Sequence, residues 1–119
     1  MKIGVGVSGN SLQEQIASIQ KAEADGFASI WMPNIFGTDA IMTLALAGAV
    51  TKTIEMGTFV VPTYPRHPTA MAQQALTAAA ATGGRFILGI GLSHKVVIED
   101  MLGWIIRSQR ATCVNTSPC

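Results

Sequence analysis

Residues 54–61, IEMGTFVV, are the stretch on which the fold turns. The run is apolar and rich in β-branched side chains, shows no in-out alternation, and is stopped by Pro62, Pro65 and Pro68. A segment of that kind and length reads as a strand buried on both faces, which is the habit of parallel sheets covered by helices. Downstream, Pro68 suits the first turn of a helix running through Met71, Ala72, Ala75, Leu76 and Ala79, and Thr82-Gly83-Gly84 ends it. Residues 85–92, RFILGIGL, follow as another strand, after which Ser93 can cap a helix containing Val96, Val97 and Met101. Upstream, Asp39 is placed to cap the Ala/Leu-rich stretch 40–50, and residues 27–32, FASIWM, form a strand ended by Pro33-Asn34. Earlier still, residues 2–8, KIGVGVS, read as a strand. Ser11 and Glu14 then have the Ser-x-x-Glu spacing of a reciprocal helix cap. Leu12, Ile16, Ile19 and Glu23 lie along one side of that helix, with Gly26 as its stop.

The order is therefore βαβαβαβα, which predicts an α/β fold with a parallel sheet and right-handed crossovers. Two architectures satisfy it: an open doubly wound sheet and part of a (β/α)₈ barrel. The 119 residues are short of the roughly 250 that eight units take, and half a barrel leaves two open edges. From the pattern alone the open, flavodoxin-like sheet is preferred.

Composition narrows the function classes. With 49% hydrophobic and 13% charged residues and a net charge of +1, the chain reads as one globular domain. Eight basic residues make no footprint for nucleic acid. The longest apolar run, residues 41–50, is interrupted by Thr43 and is far shorter than the roughly 20 residues of a membrane span, so no membrane helix is expected. Gly4, Gly6 and Ser8 break the first apolar stretch, which is unlike a secretory segment, and a cytoplasmic location is expected. Both cysteines, Cys113 and Cys119, fall at the end of the chain and supply neither a disulfide framework nor spaced metal ligands; no metal is expected.

Two segments carry candidate chemistry. Gly89-Ile90-Gly91-Leu92-Ser93-His94 puts glycines at a strand end, where a planar ring or phosphate can approach the backbone, and puts a titratable imidazole beyond it. The third glycine and the distant acid of a dinucleotide fingerprint are missing, and glycines that merely relieve crowding explain the segment equally well. Thr63-Tyr64-Pro65-Arg66-His67-Pro68 is a stiff loop whose Arg66 either orients an anionic ligand or pairs with a local carboxylate. Phe59, Val60, Val61, Trp31 and Trp104 read as core or interface, and the alanines at 75 and 78–81 as close helix packing.

Three segments, AEADGFASIWMPN (22–34), DAIMTLALAGAVTKTIEMGTFVVPTYPRHPTAMAQQALT (39–77) and GGRFILGIGLSHKVVIEDMLG (83–103), together resemble the luciferase-like monooxygenase family. They look most like its actinobacterial branch that uses the deazaflavin coenzyme F420. The ordered pair GT-x-VVPTYPRHP and GGR-x-x-LGIGLSH is far more specific than its parts. The resemblance implies the N-terminal half of a (β/α)₈ TIM barrel, about four β/α units, and so reverses the preference for an open sheet. It implies an oxidoreductase that moves hydride between F420 and an organic small molecule, the ring lying across the C-terminal mouth of the barrel. By position, Phe59-Val60 would back the ring, in relatives often through a non-proline cis peptide. Gly91, Leu92 and Ser93 would border it. Asn34 matches a polar position facing the ring, and His94 falls where relatives carry a proton-handling group, which makes it the catalytic candidate. FMN in place of F420, as in a flavin monooxygenase, remains open, since the residues that discriminate the coenzyme tails lie beyond 119.

The resemblance covers residues 1–103, expected as a partial barrel domain; residues 104–119, WIIRSQRATCVNTSPC, depart from it. A shifted reading frame of this tail can spell a family-like Arg-His-Met-Arg-Glu-Tyr, and a frameshifted, truncated chain is expected. That leaves a non-catalytic half barrel pairing its open edges in a homodimer as the alternative to an active enzyme.

Overall fold

The structure is a computed structural model and describes residues 2–34 and 37–92. Strand β1 (Gly4–Gly6) leads into helix α1 (Leu12–Ala24), strand β2 (Ser29–Met32), helix α2 (Ala40–Gly48) and strand β3 (Glu55–Thr58). A short β4 (Val61–Pro62), helix α3 (Pro68–Ala81), β5 (Phe86–Ile87) and β6 (Ile90–Gly91) complete the order. The main sheet runs β1-β2-β3-β5 with every pair parallel, and β4 pairs with β6 in a second, parallel two-stranded ladder. The alternation read from sequence is thus present, with each crossover a helix.

The helix termini follow their local chemistry. Ser11 Oγ accepts from Glu14 N at 3.2 Å, and Glu14 Oε2 accepts from Asn10 N at 2.7 Å. The capping box therefore reaches one residue further back than the reciprocal pattern expects. Gly26, at φ 88°, takes the left-handed turn that ends α1. Asp39 Oδ2 accepts from Met42 N at 2.8 Å at the start of α2, which ends at Gly48, two residues before the expected Val50. Pro68 opens α3 as expected, and His67 Nδ1 caps it by accepting from Thr69 N at 3.1 Å.

Parallel register sorts the sheet residues into two faces. Val5, Ile30, Met56 and Phe86 form one row, directed to the helices. Ile30 and Met56 are fully buried with Ile19, Ala22, Met32, Ala40, Leu44, Ala47 and Ile54. Each of the isoleucine, leucine and methionine side chains contributes about 1.5–3 kcal/mol relative to exposure. A second cluster, Ile41, Val61, Met71 and Ala78, joins α2 and α3 to β4. The helices approach closely: a Cβ on Gly48 would come 2.8 Å from Thr82 Cγ2 and 2.9 Å from Ala81 O.

The adjacent row, Gly6, Trp31, Gly57 and Ile87, lies on the opposite face. This face overturns the reading of residues 54–61 as one strand buried on both sides. The strand breaks at Phe59-Val60, a non-proline cis peptide, and Phe59 is 71% exposed. The physical reason is that, among the described residues, helices pack on one face only, and Ile87 and Ile90 are exposed as well. The strand at 85–92 is likewise split into β5 and β6. Across both breaks Thr58 Oγ1 donates to Gly89 O and accepts from Gly89 N, each at 2.8 Å, replacing the interrupted ladder with side-chain hydrogen bonds.

Two polar clamps hold the opposite end of the sheet. One oxygen of Glu23, Oε2, accepts from the backbone N–H groups of Lys52, Thr53 and Ile54 at 2.8, 2.8 and 3.1 Å. The Thr53 amide above all, with those of Lys52 and Ile54, holds the carboxyl down to about 2 against an opposing desolvation. Arg85 donates to Thr82 O, Ile54 O, Gly48 O, Thr51 O and Thr51 Oγ1, joining the ends of α2 and α3 to the start of β3. Among the described residues no helix is long and apolar enough to cross a membrane.

Candidate functional site

In a parallel sheet all strand C-termini share one edge, and the loops beyond them form the natural ligand site. Here that edge carries Asn34 after β2, Phe59-Val60 after β3, Thr63 to His67 after β4, and Gly91-Leu92 at the end of β6. The residues singled out by sequence thus converge on one side of the sheet through topology alone. Ser93, His94, the helix expected after them, Trp104, Cys113, Cys119 and the tail at 104–119 lie outside the described residues.

Each candidate has an observed local role. Asn34 Oδ1 accepts from Ala40 N at 2.8 Å, so its carbonyl end helps to start α2. Its Nδ2 donates to none of the described residues. Val60 is held against the glycines of the neighbouring strand: a Cβ on Gly91 would come 2.8 Å from Val60 Cγ2, and one on Gly89 would come 2.2 Å from Thr58 O. Both glycines are therefore required by strand packing, whatever binds beyond them. Phe59, in contrast, projects its ring into the open.

The exposed ring of Phe59 shares a concavity of about 450 Å³ with Trp31 and the backbone of Gly4, Val5 and Gly6. Trp31 is half-buried and its Nε1 donates to Ser29 Oγ at 3.0 Å, leaving the indole face as an apolar floor. A second concavity of about 510 Å³ lies at the ends of β1 and β2, between Val7, Asn10, Gln15, Met32 and Thr38. Thr38 Oγ1 closes it by donating to Gln15 Oε1 at 2.7 Å. The groove between α2 and α3, around Met42 and Ala45, is on the outer helical surface, with Asp39 and Gln74 in its lining. Thr63 Oγ1 is buried with no hydrogen-bond partner among the described residues, at the start of the loop after β4.

Arg66 resolves its two readings in favour of the local carboxylate. Its Nη2 donates to Asp39 Oδ1 and its Nη1 to Gln74 Oε1 at 2.9 Å, with 16% of the side chain exposed. The pair joins the loop after β4 to the cap of α2. Sequence reasoning found both residues but assigned them separate tasks. Trp31, read as core or interface, lines the open concavity; the glycines beside it on both neighbouring strands are brought there by the register of the sheet and gave no signal along the chain.

The arrangement is shared with known proteins. A protein of Mycobacterium tuberculosis named as a coenzyme F420-dependent oxidoreductase is 38% identical over 91 residues, 76% of this chain and 26% of that one. The structure of the F420-dependent tetrahydromethanopterin reductase of Methanopyrus kandleri superposes with a TM-score of 0.79 at 26% identity, covering 88% of this chain and 30% of that one. The FMN-bound oxygenating constituent of 3,6-diketocamphane monooxygenase from Pseudomonas putida shares the fold at a TM-score of 0.78 and 21% identity. It is covered over 35% of its length, so the chain spans between a quarter and two fifths of these three relatives. The parallel sheet is a portion of the luciferase-like (β/α)₈ barrel, as the resemblance implied and the open-sheet preference did not. With residues 2–113 matching the family's sequence profile, the chain belongs to the luciferase-like monooxygenase family.

Proposed function

We propose that the chain is the N-terminal half of an oxidoreductase that uses coenzyme F420, with the deazaflavin ring seated at the C-terminal edge of the sheet. The observation that carries this reading is Phe59, an aromatic ring 71% exposed at that edge beside a concavity floored by Trp31. A large apolar side chain exposed among conformationally fixed backbone is suited to a flat ring rather than to a charged ligand. The residues present fit the group: an apolar floor, glycine backbone at Gly91, and an Asn34 amide and a buried Thr63 hydroxyl that have no partner among the described residues. The F420-dependent name of the 38% identical mycobacterial protein supports the same coenzyme.

When bound, F420 supplies a hydride-carrying carbon, C5. Phe59 and Val60 would back the ring and exclude water from that side, while Gly91, Leu92 and Ser93 would border its edge. Asn34 Nδ2 would donate a hydrogen bond to a ring or substrate carbonyl. His94, the catalytic candidate by resemblance, would hold or release the proton that accompanies hydride transfer through its imidazole. The substrate is an organic small molecule. A fluorescence titration of the chain with F420, with FMN in parallel, tests the reading. Saturable quenching by F420 at micromolar protein is expected. Binding of FMN alone would reassign the coenzyme, and no change with either would remove ring binding from this chain.

A further inference from the structure

We infer that Arg66 is a positioning residue, which fixes the spacing of the two neighbouring loops bordering the ring site by holding Asp39 of one from the other. The inference rests on the coenzyme reading above only for its functional consequence; the brace itself stands on geometry. The loop after β2 carries Asn34 and ends at Asp39, and the loop after β4 carries Thr63 and Arg66. Nothing in the parallel ladder sets the distance between two such loops, because the hydrogen bonds of the sheet end before they begin.

Each loop is fastened to the candidate site at its other end. Thr63 N donates to Gly91 O at 2.9 Å, so the Arg66 loop starts on the glycine expected to border the ring. Asn34 Oδ1 accepts from Ala40 N, and the next peptide turn of α2 is capped by Asp39 Oδ2 through Met42 N. Asp39 therefore divides its oxygens: Oδ2 serves its own helix, and Oδ1 takes the guanidinium from the other loop. Arg66 is held from a third direction by Gln74 Oε1 on α3, and its own N–H turns back to Thr63 O at 3.2 Å. With the guanidinium side chain only 16% exposed and Asp39 at 34%, the pair is screened less than a surface ion pair. A planar fork locked on two acceptors also transmits orientation, which a lysine ammonium does not.

The decisive pair of variants is Asp39→Asn, which keeps a competent N-cap for α2 while removing the charge, and Arg66→Met, which keeps the aliphatic stem. Amide hydrogen exchange is read on both sides of the pair. Arg66→Met is expected to speed exchange at Ala40 and Met42 in the first turn of α2, and Asp39→Asn at Arg66, each on the side that was not altered. Both variants are expected to weaken F420 binding about tenfold, with far-UV circular dichroism unchanged. Arg66→Lys, the variant to use should Arg66→Met not fold, is expected to lie between. Faster exchange confined to the substituted loop would overturn the brace. Faster exchange on the unaltered side with coenzyme affinity unchanged would overturn the positioning role. Failure of the unsubstituted chain to bind F420 would strike the coenzyme reading, while the exchange data would still decide whether Arg66 couples the loops.

Discussion

Trp31 lies flat against Gly57 of the neighbouring strand: a Cβ built on Gly57 would come within 2.3 Å of Trp31 Cζ3 and 2.6 Å of Cε3. The other edge of the indole meets Gly4, where a Cβ would come 2.9 Å from Nε1. One large side chain thus spans three strands, and it does so because both neighbours lack side chains. Gly57→Ala should force the indole from its seat and destabilise the fold by about 1–3 kcal/mol. Chemical denaturation followed by far-UV circular dichroism measures this, and in a Trp31→Ala background the same Gly57→Ala step should cost much less. Additive effects would mean that the two residues do not interact.

Glu23 should make the fold acid-labile. Its carboxyl is held down to about 2 in the folded chain from an ordinary value of 4.5, because three backbone N–H groups face one oxygen. The ionised form is favoured by folding, so its contribution is complete above 4.5 and is lost as pH falls towards 2. Solvent screening at this half-buried site limits the effect to the order of 1 kcal/mol. Thermal midpoints measured across that window should fall in the unsubstituted chain and be flatter in Glu23→Gln.

Arg85 is a cation among carbonyl groups rather than a partner of a carboxylate, and its geometry, not its charge alone, is in use. Five donor contacts cannot be reproduced by an ammonium, so Arg85→Lys should cost about 1–3 kcal/mol, most of the cost of Arg85→Ala. Urea denaturation of the two variants compares them directly. Full rescue by lysine would show that charge suffices.

Thr58 should tolerate serine but not valine. Its hydroxyl makes both hydrogen bonds that bridge β3 to Gly89 where the ladder is interrupted. Thr58→Val leaves the part-buried Gly89 amide without its acceptor, while Gly89 O keeps the Val61 N–H, and is expected to cost about 1–2 kcal/mol, whereas Thr58→Ser retains both bonds. Equal stability of the two variants would assign Thr58 to packing alone.

Much of this could be read along the chain. The three helices sit where Ser11, Asp39 and Pro68 announce them, since capping and proline placement are decided within a few residues. The position of the cis peptide followed from the family resemblance at Phe59-Val60 and not from propensity. What misled was residues 54–61: an unbroken apolar run means contact with apolar surroundings, but not whether those surroundings belong to the same part of the chain. Phe59 is apolar because it faces the barrel side of the sheet, which no helix of the described residues covers.

Local sequence alone thus determined the order of elements, their caps and the parallel sheet, because each depends on hydrophobic period and on hydrogen bonds between near neighbours. Tertiary structure decided which face of each strand is buried, that Arg66 serves Asp39 rather than a ligand, and that Trp31 spans Gly4 and Gly57. These pairings join residues on separate strands and loops, and only the register of the sheet and the docking of the helices bring them within contact distance.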